Sequence, residues 1–247
     1  MIKQRTLPDI LNELIEDASF IIEYKFATDN GDGTYTLAGV CDIHHIQPGF
    51  FVTIGGLKYR VKDYIKVSGI LTIVLEAGIH PLPAAPGSFE LYKPFFFHGT
   101  PMMEEVELKK VSSLSKKTPM IYLPEPFRTK MDHTFNSSID RRCDFTLCFL
   151  TQADIPKWLT KDFYHDAINP MNNLVQDFFS LLENSPLFYT TLQKGESTFY
   201  AKFGINIKEL GTKKLYFSEN LSGVGVDLRL EIYKEEHCCS MATFESA

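Results

Sequence analysis

Two short clusters carry the side chains that could hold a metal ion. Cys41, Asp42, His44 and His45 place a thiol, a carboxylate and two imidazoles within five residues, and all three groups are zinc donors. Adjacent histidines on an extended chain, however, point to opposite sides, and no second spaced pair completes a set of four ligands. His237, Cys238 and Cys239 form the other cluster. Three consecutive donors do not easily wrap one ion, and they follow the last apolar stretch of the chain. The expectation is therefore satisfied histidines at a strand-to-turn junction, and an exposed tail. A cysteine nucleophile would need an activating base beside it. Cys143 and Cys148 instead sit in or beside an apolar run, where cysteine acts as a small apolar filler. The carboxylate pairs Glu104-Glu105 and Glu235-Glu236 lie in charged runs, with no local reason for a raised pKa. There is no phosphate-binding glycine loop, HExxH helix or GxSxG elbow. The residues predict no catalytic, cofactor-binding or metal-binding position and a protein that is not an enzyme.

Binding remains. The formal charge of −6 argues against a basic nucleic-acid glove, and the lysine pairs at 109–110, 116–117 and 213–214 read as solvated surface. Phe51, Tyr59 and Tyr64 are candidates to stack on single-stranded bases. Trp158, the sole tryptophan, joins Leu159, Phe163 and Tyr164 in a group that either docks on a sheet or anchors a neighbouring subunit. The prolines at 81, 83 and 86 mark a loop or arm. Three successive phenylalanines, Phe95 to Phe97, cannot all face one core, so one side must meet a second layer or a partner. Five cysteines without framework spacing fit reduced thiols and cytoplasmic folding. Nothing in the sequence has the ~20 apolar residues of a membrane span, and no secretory leader is visible.

The elements that position these residues read as α+β. Thr6 and Pro8 start a helix whose Leu7, Ile10, Leu11, Leu14, Ile15 and Ala18 share one face. Short strands follow at 20–26, 34–41, 50–54, 57–65 and 70–75, punctuated by glycine-rich turns. They predict a small antiparallel barrel or sandwich. A strand at 89–97 closes this part. After a charged stretch come strands at 120–123 and 145–150 around a polar loop at 130–139. A helical region opens at Ile155-Pro156, with Asp154 or Asp162 as cap. Asn169-Pro170 makes a second start or a kink. The long helix that follows has Met171, Leu174, Val175, Phe178, Leu181 and Leu182 on one face and ends at Ser185-Pro186. A strand is expected at 199–207. From Val224 to Tyr233 apolar residues alternate with Asp227, Arg229 and Glu231, which fixes the register of a half-buried final strand. Its charged face is open to solvent or to a neighbouring subunit. The predicted organisation is a helix plus barrel-like domain over 1–115, an antiparallel sheet packed on a long helix over 116–236, and a flexible tail over 237–247.

Four segments carry a resemblance: PMIYLPEPF (119–127), DFTLCFLTQAD (144–154), YHDAINPMNNLVQDFFSLL (164–182) and LSGVGVDLRLEIY (221–233). With the order of elements in the second half, they resemble the tail-terminator and head–tail joining (neck) proteins of tailed bacteriophages and prophages of Bacteroides-type hosts. The resemblance covers about half the chain, and a minimal terminator would lack the first domain. It implies a homo-oligomeric ring in the virion, contacts with neck, portal or tail proteins, no cofactor, and DNA only as cargo through the lumen. An acidic chain suits such a lumen, since few phosphate contacts would form. The alternative is a small β-barrel module that binds a protein or single-stranded nucleic acid.

Overall fold

The computed structural model describes residues 5–40, 45–67, 70–100, 118–131, 139–154, 157–188, 193–203, 205–207, 213–215 and 220–233. The sequence clusters at 41–44 and 237–239, the carboxylate pairs at 104–105 and 235–236 and the 115/116 boundary lie outside them.

Helix α1 (Leu7–Asp17) begins as its residues dictate. Thr6 Oγ1 accepts from the Asp9 N–H, and the Asp9 carboxylate accepts from the Thr6 N–H at 2.9 Å. This reciprocal cap satisfies two of the N–H groups that a helix start leaves open. Seven strands then form one antiparallel sheet: β1 (Ile21–Tyr24), β2 (Phe26–Asp29), β3 (Thr34–Val40), β4 (Phe51–Ile54), β5 (Leu57–Val67), β6 (Ile70–Glu76) and β7 (Gly87–Glu90). Their order is β1-β7-β4-β5-β6-β3-β2. The outermost strands are two halves of one segment, parted only by Lys25, whose N–H bonds the Ala38 carbonyl at 3.0 Å. The sheet therefore curls, but no ladder joins β1 to β2. The expected small barrel is thus found as a curled, unclosed sheet. Its inward residues, among them Leu37, Tyr59, Ile73 and Phe89, form one core. The β2–β3 turn needs its glycines, since Gly31 and Gly33 adopt φ of 72° and 81°, where a side chain would be strained.

The second sheet holds β8 (Phe95–Gly99), β9 (Met120–Pro124), β10 (Arg128–Met131), β11 (Ile139–Gln152), β12 (Gln193–Tyr200) and β15 (Leu221–Tyr233). Its order is β12-β15-β11-β9-β8, with β10 also on β11. All pairs are antiparallel except β8–β9. β13 (Ile205–Ile207) and β14 (Lys213–Leu215) make a separate hairpin. Helix α2 (Thr160–Phe163) runs through a π-helical turn, Tyr164–Ile168, into α3 (Asn169–Asn184).

Several boundaries differ from expectation. The single strand at 89–97 is two strands in different sheets, because Pro94 cannot donate to a ladder. Phe96 packs on the main core of the second sheet and Phe97 on its other face, which resolves the crowding of three phenylalanines. Lys130 lies in β10 rather than in a loop, paired opposite Arg142. The expected strand at 199–207 is interrupted after Tyr200. The expected start of the helical region at 155–156 lies outside the described residues; α2 begins at Thr160, where Asp162 caps it through the Leu159 N–H.

The cores also cross the order of the chain. α1 and β8, which the sequence groups with the first sheet, pack with the second. Leu7, Ile10, Leu11 and Ile15 join Leu147, Phe149, Phe178 and Leu228 in one cluster. Leu181, on the flank of α3, turns the other way and packs on the core of the first sheet. In β15 the alternation holds: Val224, Val226, Leu228, Leu230 and Ile232 are buried while Asp227 and Arg229 are exposed. The first residues of the strand are buried on both faces, because Tyr200 and Phe203 cover the outer side there.

Candidate binding cleft

A polar seam joins the two sheets, and its origin is local. Pro170 has no N–H, so the carbonyl one helical turn before it, that of Asp166, lacks its usual donor. The helix responds with a π turn in which the Asn169 N–H reaches back to the Tyr164 carbonyl. The first sheet supplies the missing donors. Gln47 Nε2 donates to the Asp166 carbonyl at 2.6 Å, and the Tyr64 hydroxyl donates to the His165 carbonyl at 2.7 Å. Gln47 Oε1 in turn accepts from the buried Thr151 hydroxyl of β11 at 2.8 Å. One glutamine thus ties the first sheet to both the helix and the second sheet. π turns are frequent at functional positions, and here the turn is a docking point.

His45 is the other tie. Its ring is fully buried, with Nδ1 2.6 Å from Asp177 Oδ2 of α3 and Nε2 3.1 Å from the Tyr92 carbonyl. Each ring nitrogen thus meets an oxygen from a different element. The Tyr92 hydroxyl returns a bond to the His45 carbonyl at 2.7 Å, and burial drives its pKa well up. His165 stacks flat on Tyr64 with ring centres 4.5 Å apart. Burial alone would lower the pKa of its imidazole. The bond to Asp166 at 2.6 Å, with the Tyr64 carbonyl and the Asp63 carboxylate near the other ring nitrogen, overcomes that, and the net shift is upward. The Tyr64 phenol is pushed up to about 12, first by burial and then by the Asp166 and Asp63 carboxylates.

A cleft of about 860 Å³ opens directly above this seam. The first sheet and its loops contribute Gln47, Phe51, Lys58, Arg60, Tyr92 and Lys93 to its lining; β11 and the residues that follow it contribute Gln152, Asp154, Trp158 and Asp166. The two carboxylates are neutralised within the chain, since Asp154 meets Lys157 at 2.8 Å and Asp166 meets His165. Of the cations, Arg60 shares Glu76 at 3.3 Å, and among the described residues Lys58 has no ion-pair partner.

The residues singled out by sequence fall as follows. His45 belongs to the seam, and among the described residues no three metal-donor side chains converge. Cys143 and Cys148 are buried in β11. Trp158 meets Phe163 edge-on at 5.4 Å and lines the cleft. Of the three rings proposed to stack on bases, Tyr59 is buried, with its hydroxyl on the Pro81 carbonyl. Tyr64 is engaged by His165, and Phe51 alone is exposed. Sequence reading missed Asp177, Gln47 and Lys58, for their partners lie far away in the chain. The one legible signal was Pro170, which marks where a helix loses a donor. No family model, no curated protein and no solved structure matches the chain.

Proposed function

We propose that the chain is a structural subunit of the neck or tail of a tailed bacteriophage, forming a homo-oligomeric ring at the head–tail interface through which DNA passes. The observation that carries the reading is the proline-rich arm between β6 and β7. Its backbone is held by three tyrosine hydroxyls of the first sheet. Tyr35 donates to the His80 carbonyl at 2.8 Å, Tyr59 to that of Pro81 at 2.8 Å and Tyr24 to that of Ala84 at 2.7 Å. On this fixed backbone Ile79 is 97% exposed and Leu82 42%. A rigid loop has already met much of the ordering cost of association. An arm that is rigid and apolar at its tip suits a permanent contact with a neighbouring subunit.

The second sheet, backed by α3 in one core, serves in this reading as the α/β layer of the ring body, in line with the four segments that resemble neck and terminator proteins. Virion location, contacts with portal or tail proteins and an acidic lumen follow from the same reading. The alternative is a small β-barrel module that binds a protein or single-stranded nucleic acid, and its nucleic-acid form is weakened by the inward turn of Tyr59 and Tyr64. Electron microscopy of the purified full chain, alone and with the proteins encoded beside it, tests the proposal. Closed rings are expected. A chain that stays monomeric with all of those partners and is missing from particles would sink it.

A further inference from the structure

We propose that the cleft above the seam is a docking site for an acidic polypeptide segment carrying an aromatic or aliphatic anchor. Three cations, Lys58, Arg60 and Lys93, line the cleft; Lys93 Nζ also donates to the Glu16 carbonyl, a bond that leaves its charge in place. The carboxylates of the lining are already paired within the chain, so the charge left to attract a ligand is positive. Lys58 is exposed and without an ion partner among the described residues. Phe51, 51% exposed, and Trp158 line the same cleft and offer it aromatic surface. Tryptophan and arginine are the residues that most often anchor interfaces, and a partner's apolar side chain set against these rings would be desolvated. Gln152 and Asn220 on the rim present amides, which match the alternating donors and acceptors of a peptide backbone.

A nucleic acid fits less well. It would need an extended basic track, whereas the cleft lining carries three cations in a chain of net charge −6. A short acidic segment needs only these few. The inference rests on the assembly reading only for the source of the segment, a neighbouring subunit of the virion.

Trp158 is the only tryptophan, so its emission reports occupancy directly. The intact protein is titrated with four probes of about twelve units each. These are an acidic peptide containing one Phe, the same peptide with Ala for Phe, a basic peptide containing Phe, and oligothymidylate. The acidic Phe peptide is expected to give a saturable change, weakened at least tenfold by Lys58→Glu with Lys93→Glu and by the loss of Phe. Thermal melting of that variant checks that it is folded, and the single Lys58→Glu variant, whose side chain has no ion-pair partner among the described residues, is expected to show at least a threefold loss. No saturable change up to about 1 mM, the affinity scale below which a contact is negligible, would overturn the proposal. So would equal binding of the basic peptide, or tighter binding of oligothymidylate. Rings seen without peptide binding would remove the cleft proposal alone; peptide binding without rings would remove only the assembly reading.

Discussion

The seam turns on single side chains, and two of them give measurable consequences. Gln47 is buried and bridges the Asp166 carbonyl and the Thr151 hydroxyl. Gln47→Leu keeps the volume but leaves both groups buried and unpaired, so it is expected to cost about 2 kcal/mol in urea unfolding. A cost near zero would mean the bridge is not made. His165 gives a pH dependence of known sign. Its folded pKa lies above the ordinary value of 6.5, so the folded state holds a proton that the unfolded chain releases. That contribution is present below about pH 6.5 and is lost as pH rises through the folded value. Melting temperatures at about pH 6 and about pH 8 are expected to fall more for the native chain than for His165→Gln. Equal slopes would contradict the assignment. Neither role was legible in the sequence. His45 was readable as a histidine satisfied at a turn, yet that its partners are Asp177 and Tyr92 depends on how α3 and the first sheet meet.

At the scale of elements, β15 was the most legible, because period-2 alternation is a local signal. The structure lengthens it to begin at Leu221 and matches its charged face rung by rung with β11. Arg229 Nε donates to Asp144 Oδ1 at 2.6 Å, Arg142 pairs with Glu231 at 2.9 Å, and the Thr146 hydroxyl donates to Asp227 at 2.5 Å. These exposed pairs add little to stability, but they select one register, since a one-residue slip would place charges in the core. Leu228→Asp puts a carboxylate among Phe145, Leu147 and Phe178 and is expected to abolish the cooperative melt followed by circular dichroism. A folded, soluble variant would show the register to be wrong. The long helix was equally readable from its apolar face, except for Leu181. That residue belongs to the first core, and helical periodicity does not distinguish which of two layers receives a flank. The split of 89–97 into β7 and β8 was hidden because both halves are apolar, and only Pro94 marked the break.

Across the whole molecule, the class was legible and the partition was not. Sequence order places α1 and β8 with the first sheet, whereas packing places both with the second, and Ala18 at the end of α1 reaches back into the first core. Interleaving of this kind, with Gln47, His45 and Tyr64 bonded across the seam, couples the two sheets, so the cleft between them is a shaped surface. Among the described residues no helix is long and apolar enough to cross a membrane. Ile79 is the most exposed large apolar side chain among the described residues, and the proposed ring depends on the arm that carries it with Leu82. The direct test is the mass of the assembled species, by light scattering, for the native chain and for Ile79→Ser with Leu82→Ser. Both side chains point to solvent, so the variant is expected to melt like the native chain. The account predicts closed oligomers for the native chain and smaller species, at least tenfold weaker in association, for the variant. Identical masses for the two, or a native chain that remains monomeric with the proteins encoded beside it, would contradict it.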